Sequence, residues 1–347
     1  MAELTLGASG KEASIAVGIN ARGQMAGIIE EDSGRQRAVL YDQRLVELGT
    51  LGGSEGFTKG INAAGDVVGT AQNARGYWRA FVVPHRGAMR DVGTLGGNSS
   101  YGAAINDRGQ ITGYADTSDG YYRAFSSDGK GDSEPVDLGT LGGKISYAAG
   151  INHQGDVVGT AAMPDGYRHA FLYKAGGNME DIGTLGGRSS SASAINDNGA
   201  IVGASETADR RWHAFVWEQG KMTDLGALIG YGDSFATAIN NAGHVVGSIR
   251  VGDERRSFVY RDGRMIVHPG GHGLYLVNAI NSNELVIGAR NASNKFHAST
   301  MISSQAPKED HGAQDLLSAI ALVLTTTAIV VIYKRRYRGL RLPFNSI

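Results

Sequence analysis

The dipeptide Ile-Asn returns seven times along this chain, ending at Asn20, Asn62, Asn106, Asn152, Asn196, Asn240 and Asn281, with spacings of 42, 44, 46, 44, 44 and 41 residues. A period this regular means one supersecondary unit copied and stacked, because a single unit of about 44 residues cannot bury its own apolar face. Three residues after six of the asparagines stands a glycine (Gly23, Gly65, Gly109, Gly155, Gly199 and Gly243), and Glu284 takes that place in the seventh unit. Short apolar runs separated by turn residues fill each unit. In the fifth unit they cover residues 191–196, 200–205, 212–218 and 222–225. Four runs of strand length in one period predict a four-stranded antiparallel meander, the unit of a β-propeller blade.

Composition fits this reading. The 347 residues include 52 glycines, only 6 prolines and no cysteine, with 41% apolar residues. Such glycine supplies tight turns, and the apolar content excludes a disordered chain. Lack of cysteine excludes a disulfide scaffold, thiolate-ligated metal and a thiol nucleophile. With 33 basic and 34 acidic residues, the chain has no electrostatic footprint for nucleic acid.

Two further elements keep register with the asparagines. Gly-Thr-Leu-Gly-Gly recurs at residues 49–53, 93–97, 139–143 and 183–187, and a basic-Ala-Phe triplet ends at Phe81, Phe125, Phe171 and Phe215. Together with Ala-Ile-Asn-x-x-Gly-x-Val-Val-Gly, these elements resemble the HAF-repeat family over about residues 3–302. The resemblance implies a bacterial extracellular repeat protein without a defined activity. The first, sixth and seventh units depart from the pattern, the latter two with Ala227 to Gly230 and His268 to Gly271 in place of Gly-Thr-Leu-Gly-Gly.

The expected fold is a seven-bladed β-propeller over residues 1–303, its blades four-stranded. Residues 3–7 resemble an outer strand with no blade before them, so the N-terminal strand is expected to complete the last blade beside residues 295–302. Residues 304–314 read as a polar linker. Residues 316–333 carry no charge over eighteen positions, long enough as a helix to cross a bilayer core, and Lys334-Arg335-Arg336 follows as a stop signal. The expectation is a transmembrane helix at 315–333, a cytoplasmic basic tail at 334–347 and an extracytoplasmic propeller. Met1 to Gly10 lacks the basic start and apolar core of a signal peptide, which conflicts with export; a start lost through processing or misassignment is the preferred explanation.

Candidate site residues fall into two groups. The seven asparagines are assigned to structural turns, each side chain bonding the backbone two residues on while the following glycine takes a positive φ; a polar ring at the channel mouth is the alternative. Tyr77, Trp78, Tyr121, Tyr122, Tyr167 and Trp212 precede the triplet, where a polar connection leads into the third strand. Mixed with Arg and Asp they suit a glycan or peptide ligand; packed between blades they are hydrophobic plugs. No metal is expected, since the triplet histidines His169, His213 and His297 interchange with arginine, which is no ordinary ligand. No cofactor is expected either. Phosphate-loop and nucleophile-elbow motifs are missing. Asp91, Asp137, Asp181 and Asp224 recur at one blade position, which marks a structural role rather than a catalytic pair. Three functions follow: a non-enzymatic module binding a glycan, peptide or protein; a polysaccharide hydrolase or lyase; and a structural spacer.

Overall fold

The computed structural model describes residues 13–131, 134–230, 232–268, 276–292 and 295–302. These form a β-propeller of antiparallel meanders. Blade one comprises Ala13–Ile19, Met25–Glu30, Gln36–Asp42 and Arg44–Glu47. Blade two comprises Gly52–Ile61, Val67–Asn73, Trp78–Val83 and Arg90–Asp91, and blade three Gly96–Ile105, Ile111–Thr117, Tyr122–Ser127 and Val136–Asp137. Blade four comprises Ser146–Ile151, Val157–Ala162, Arg168–Tyr173 and Met179–Asp181. Blade five follows with Gly186–Ile195, Ile201–Thr207, Trp212–Glu218 and Lys221–Asp224. Blade six is Ser234–Ile239, Val245–Val251, Glu254–Arg261 and Arg264–Val267, and the last sheet is Leu276–Ile280, Leu285–Ala292 and Lys295–Ile302.

The expectation of seven four-stranded blades is therefore corrected. Six blades are complete and the last sheet has three strands among the described residues. Residues 3–7, expected to close it, lie outside the described residues. The transmembrane helix and the single-pass placement built on it are corrected too: among the described residues no helix is long and apolar enough to cross a membrane. The helical element there is a single 3-10 turn, Gly226–Leu228, in the unit that lost its Gly-Thr-Leu-Gly-Gly loop. The linker (304–314), the expected helix (315–333) and the basic tail (334–347) lie outside the described residues.

The triplet explains how blades pack. Phe81, Phe125, Phe171, Phe215 and Phe258 on the third strands are wholly buried. Each phenylalanine pairs with a glycine of the second strand, and a Cβ built on Gly69, Gly159 or Gly247 would stand 2.7–2.9 Å from the ring of Phe81, Phe171 or Phe258. The closer constraint is the inner strand, whose carbonyl oxygen (Phe57, Tyr101, Tyr147, Ser191 or Phe235) would lie 1.9–2.2 Å from a Cβ at Gly69, Gly113, Gly159, Gly203 or Gly247, which accounts for the second recurring glycine in these units. Beside the phenylalanine, the alanine amide donates to a serine of the next blade's inner strand. Ala80 N to Ser100 Oγ, Ala124 N to Ser146 Oγ, Ala170 N to Ser190 Oγ and Ala214 N to Ser234 Oγ are each 2.9 Å.

The basic residue of the triplet pairs with the recurring acid of the outer strand. Arg79 lies 3.0 Å from Asp91, Arg123 3.5 Å from Asp137, His169 2.8 Å from Asp181 and His213 2.9 Å from Asp224. Three of these acids also accept the amide of the following glycine: Gly93, Gly139 and Gly183 at 2.9, 2.8 and 2.8 Å. The acid thus fastens the triplet and the loop that leads to the next blade, which is the structural reason His and Arg interchange across from it.

Candidate ligand-binding face

The propeller has two ends. At one, the seven asparagines are almost completely buried. Asn106 shows the arrangement: its Oδ1 accepts Arg108 N at 3.0 Å and Gln110 N at 2.9 Å. The glycine three residues on has positive φ in six turns, and Glu284 adopts φ 60° in the seventh. The side chain also does something the spacing did not reveal. Asn20 Nδ2 donates to Asn62 O (3.0 Å), Asn62 to Asn106 O (3.1 Å) and Asn106 to Asn152 O (2.9 Å). Asn196 donates to Asn240 O (3.1 Å), Asn240 to Asn281 O (3.3 Å), and Asn281 back to Asn20 O (3.1 Å). In the fourth turn, by contrast, Asn152 Nδ2 donates within its own turn to Asp156 Oδ2 at 3.2 Å. Six of the seven turns are thereby stapled to the next by their asparagine, including the last sheet to the first, and the fourth is joined to the fifth by His153 N donating to Asp197 Oδ1 at 2.8 Å. Asn283 Nδ2 to Ala21 O (2.9 Å) and Asn278 Nδ2 to Ala16 O (3.2 Å) reinforce that junction. These donors leave the asparagine ends little capacity for a ligand.

The opposite end carries the connections between second and third strands together with the Gly-Thr-Leu-Gly-Gly loops. Parallel bridges join them: Leu51 to Asn73, Leu95 to Thr117 and Leu185 to Thr207. The loop threonines hold their own turns, with Thr50, Thr94, Thr140 and Thr184 Oγ1 donating to the carbonyls of Gly53, Gly97, Gly143 and Gly187 at 2.7–3.0 Å. A shallow open groove of about 640 Å³ lies at this end, lined by Thr94, Leu95, Gly96, Glu134, Pro135 and Asp137.

The six candidate aromatics separate here. Trp78 is buried against Phe57, with ring centroids 5.5 Å apart. Tyr122 sits in a knot of tyrosines spanning blades three and four, 5.6 Å from Tyr114, 6.1 Å from Tyr101 and 6.1 Å from Tyr147. Burial, with the nearby Asp116 carboxylate adding to it, pushes the Tyr122 hydroxyl up to about 12. Trp212 is half-buried and stacks on Phe235 at 6.5 Å. These three act as plugs between blades. Tyr77 and Tyr167 are exposed, at 40% and 36% of their surface, and Tyr121 is half-exposed.

Two of the outer tyrosines are held by a cation from the next blade. Lys144 Nζ donates to Tyr121 Oη at 2.7 Å and lies 4.8 Å from its ring centroid. Arg188 donates to Tyr167 Oη and its guanidinium carbon lies 5.2 Å from the ring centroid. Both cations follow the glycine pair of a Gly-Thr-Leu-Gly-Gly loop, where Ser54 and Asn98 stand in other units. That one variable position inside an otherwise fixed loop was the available signal for them. Acids line the same turns. Thr207 and Arg211 hold the Asp209 carboxyl near 2, and Thr117 holds Asp119 below the ordinary carboxylate range. The end therefore offers flat tyrosine faces flanked by both signs of charge. Among the described residues no cluster of three His, Asp or Glu stands ready for a metal.

The sequence matches no protein-family model and no curated protein. Solved structures define the class. The β-propeller domain of the Trilobed protease from Pyrococcus furiosus, described as having an open velcro topology, superposes with a TM-score of 0.60 at 11% identity, covering 83% of this chain and 95% of that one. BP39L lectin from Burkholderia pseudomallei gives 0.52 at 9% identity, covering 85% and 97%. A Mycobacterium tuberculosis puromycin-hydrolyzing peptidase gives 0.60 at 11% identity over 85% of this chain and 51% of that one. Likeness at this identity defines a shared propeller fold.

Proposed function

We propose that this propeller is a non-catalytic binding module whose recognition surface is the end bearing Tyr77, Tyr121 and Tyr167. The observation that carries this reading is the pairing of outer tyrosines with Lys144 and Arg188. An aromatic ring held open to solvent by a cation from the neighbouring blade is a pre-oriented stacking platform. A shallow, polar, multi-blade surface suits an extended ligand, a glycan or peptide chain, better than a small molecule that needs enclosure. The recurring acids serve the blade framework, each bound to Arg or His, so the hydrolase reading gains no support from them. The three motif elements in fixed register support assignment of the repeat to the HAF type. The test is a glycan array and a peptide library probed with the full chain and with a Tyr121→Ala/Tyr167→Ala double variant. A ligand retained equally by both proteins would refute the site, and no ligand in either library would favour the spacer reading.

A further inference from the structure

Each of the seven inner strands contains a register shift, and each shift leaves one residue without a cross-strand partner. The flanking pairs are Ala16/Gly18, Thr58/Gly60, Gly102/Ala104, Ala148/Gly150, Ala192/Ala194, Ala236/Ala238 and Val277/Ala279. The residues left over are Val17, Lys59, Ala103, Ala149, Ser193, Thr237 and Asn278, all half-exposed. The inner strands stand side by side in a closed circle, the last beside the first. Their flanking residues address the neighbouring blades. Thr58 Oγ1 donates backward to Gly27 O at 2.7 Å, while a Cβ on Gly60 would face Ala104 of the next blade at 3.7 Å. Between them, the bulged residue is left toward the axis of the ring; of the polar ones, Asn278 donates its amide to Ala16 O of the first blade and Thr237 its hydroxyl to Val246 O.

One level of the axial channel is thus lined by small or neutral groups and a single cation. Lys59 has no hydrogen-bond or ion-pair partner among the described residues, and no acid occurs among the other six positions. Protein surrounds its amine closely enough that desolvation pushes the ammonium below its ordinary value. A desolvated cation without a counter-ion is unfavourable, yet alanine or serine serves at the same place in three other blades. Ser193 supplies a hydroxyl donor at the same level. We propose that Lys59 marks an anion site in the axial channel, taking a small oxyanion or carboxylate, separate from the tyrosine-bearing end.

The experiment is thermal melting of the full chain at neutral pH in phosphate, acetate or chloride at equal ionic strength. A melting temperature raised by about 2–4 °C in phosphate or in acetate, relative to chloride, is expected; which of the two acts distinguishes an oxyanion from a carboxylate ligand. Lys59→Met, which keeps the aliphatic stem, should abolish the rise, and Lys59→Arg should keep part of it. No rise with either anion, or the same rise in Lys59→Met, would overturn the proposal. A readout independent of the variants is NMR of reductively dimethylated wild-type protein. One dimethyl-lysine signal should titrate below the others, and the active anion should move its pKa upward; if no signal responds to the anion, the site is absent.

Discussion

The two ends of this propeller are built from the same repeat and use their polar groups in opposite ways. At the asparagine end, one side chain accepts from its own turn and donates to the next blade, so the amide is consumed by the fold. At the loop end, the turns are closed by threonine hydroxyls and backbone, and the side chains beyond them are left outside. A circular repeat needs one end to hold its units together. Once that is done, the other end can vary, and Ser54, Asn98, Lys144 and Arg188 at one loop position show that it does.

Phe171 belongs to neither end and should matter to both. It is wholly buried between blades, so Phe171→Ala removes its contacts and leaves a cavity, a loss of about 3–5 kcal/mol. Denaturant unfolding measures it; a loss under 1 kcal/mol would show that blade packing does not rest on the triplet. Next in size are the staples. Asn106→Ala removes two acceptor bonds and a buried inter-blade donor, with an expected loss of about 2–3 kcal/mol. Asn106→Asp keeps the acceptors and loses the donor to Asn152 O. If the turn alone mattered, the aspartate variant would match wild type; if the staple matters, it should unfold nearly as readily as the alanine variant.

The tyrosine knot gives a smaller, pH-dependent effect. With its folded pKa raised to about 12, Tyr122 contributes stability that is present below the unfolded value of about 10. That contribution is lost as pH rises from there toward 12. Partial exposure screens the effect, so about 1–2 kcal/mol is expected. Melting across this window should fall more steeply for wild type than for Tyr122→Phe; parallel curves would mean that the hydroxyl titrates normally.

Much of this architecture was legible in the sequence because a period copies every local signal. The Ile-Asn pairs marked the turns and the four apolar runs marked the strands; the pairing of the triplet Arg or His with the recurring acid was not foreseen. The staples escaped notice because a hydrogen bond from Asn62 to Asn106 spans 44 residues, and periodicity does not say which carbonyl a side chain reaches. The aromatics were located as a group but could not be sorted. Tyr121 and Tyr122 are adjacent, and in a strand adjacent side chains point to opposite faces. Which face is covered depends on Tyr101, Tyr114 and Tyr147, distant in sequence from one another. Seven complete blades and a membrane helix were expected from counting units and apolar residues; the described structure has six complete blades, a three-stranded sheet and no membrane-length helix among the described residues.

The finest test separates neighbours. Tyr121→Ala and Tyr167→Ala each remove an exposed or half-exposed ring and one cation contact, worth at most about 0.5 kcal/mol of stability at such a surface. Trp78→Ala, one blade earlier in the same connection, removes a buried ring packed at a tilt against Phe57 and should cost about 3–5 kcal/mol. If the loop end is a recognition surface, the two tyrosine variants should melt like wild type and bind ligand at least about tenfold more weakly, a loss of one stacked contact. Trp78→Ala should lose stability first, and binding only with it. Tyrosine variants that unfold early would make these rings plugs as well, and the contrast between the two ends would then reduce to a difference in turn chemistry.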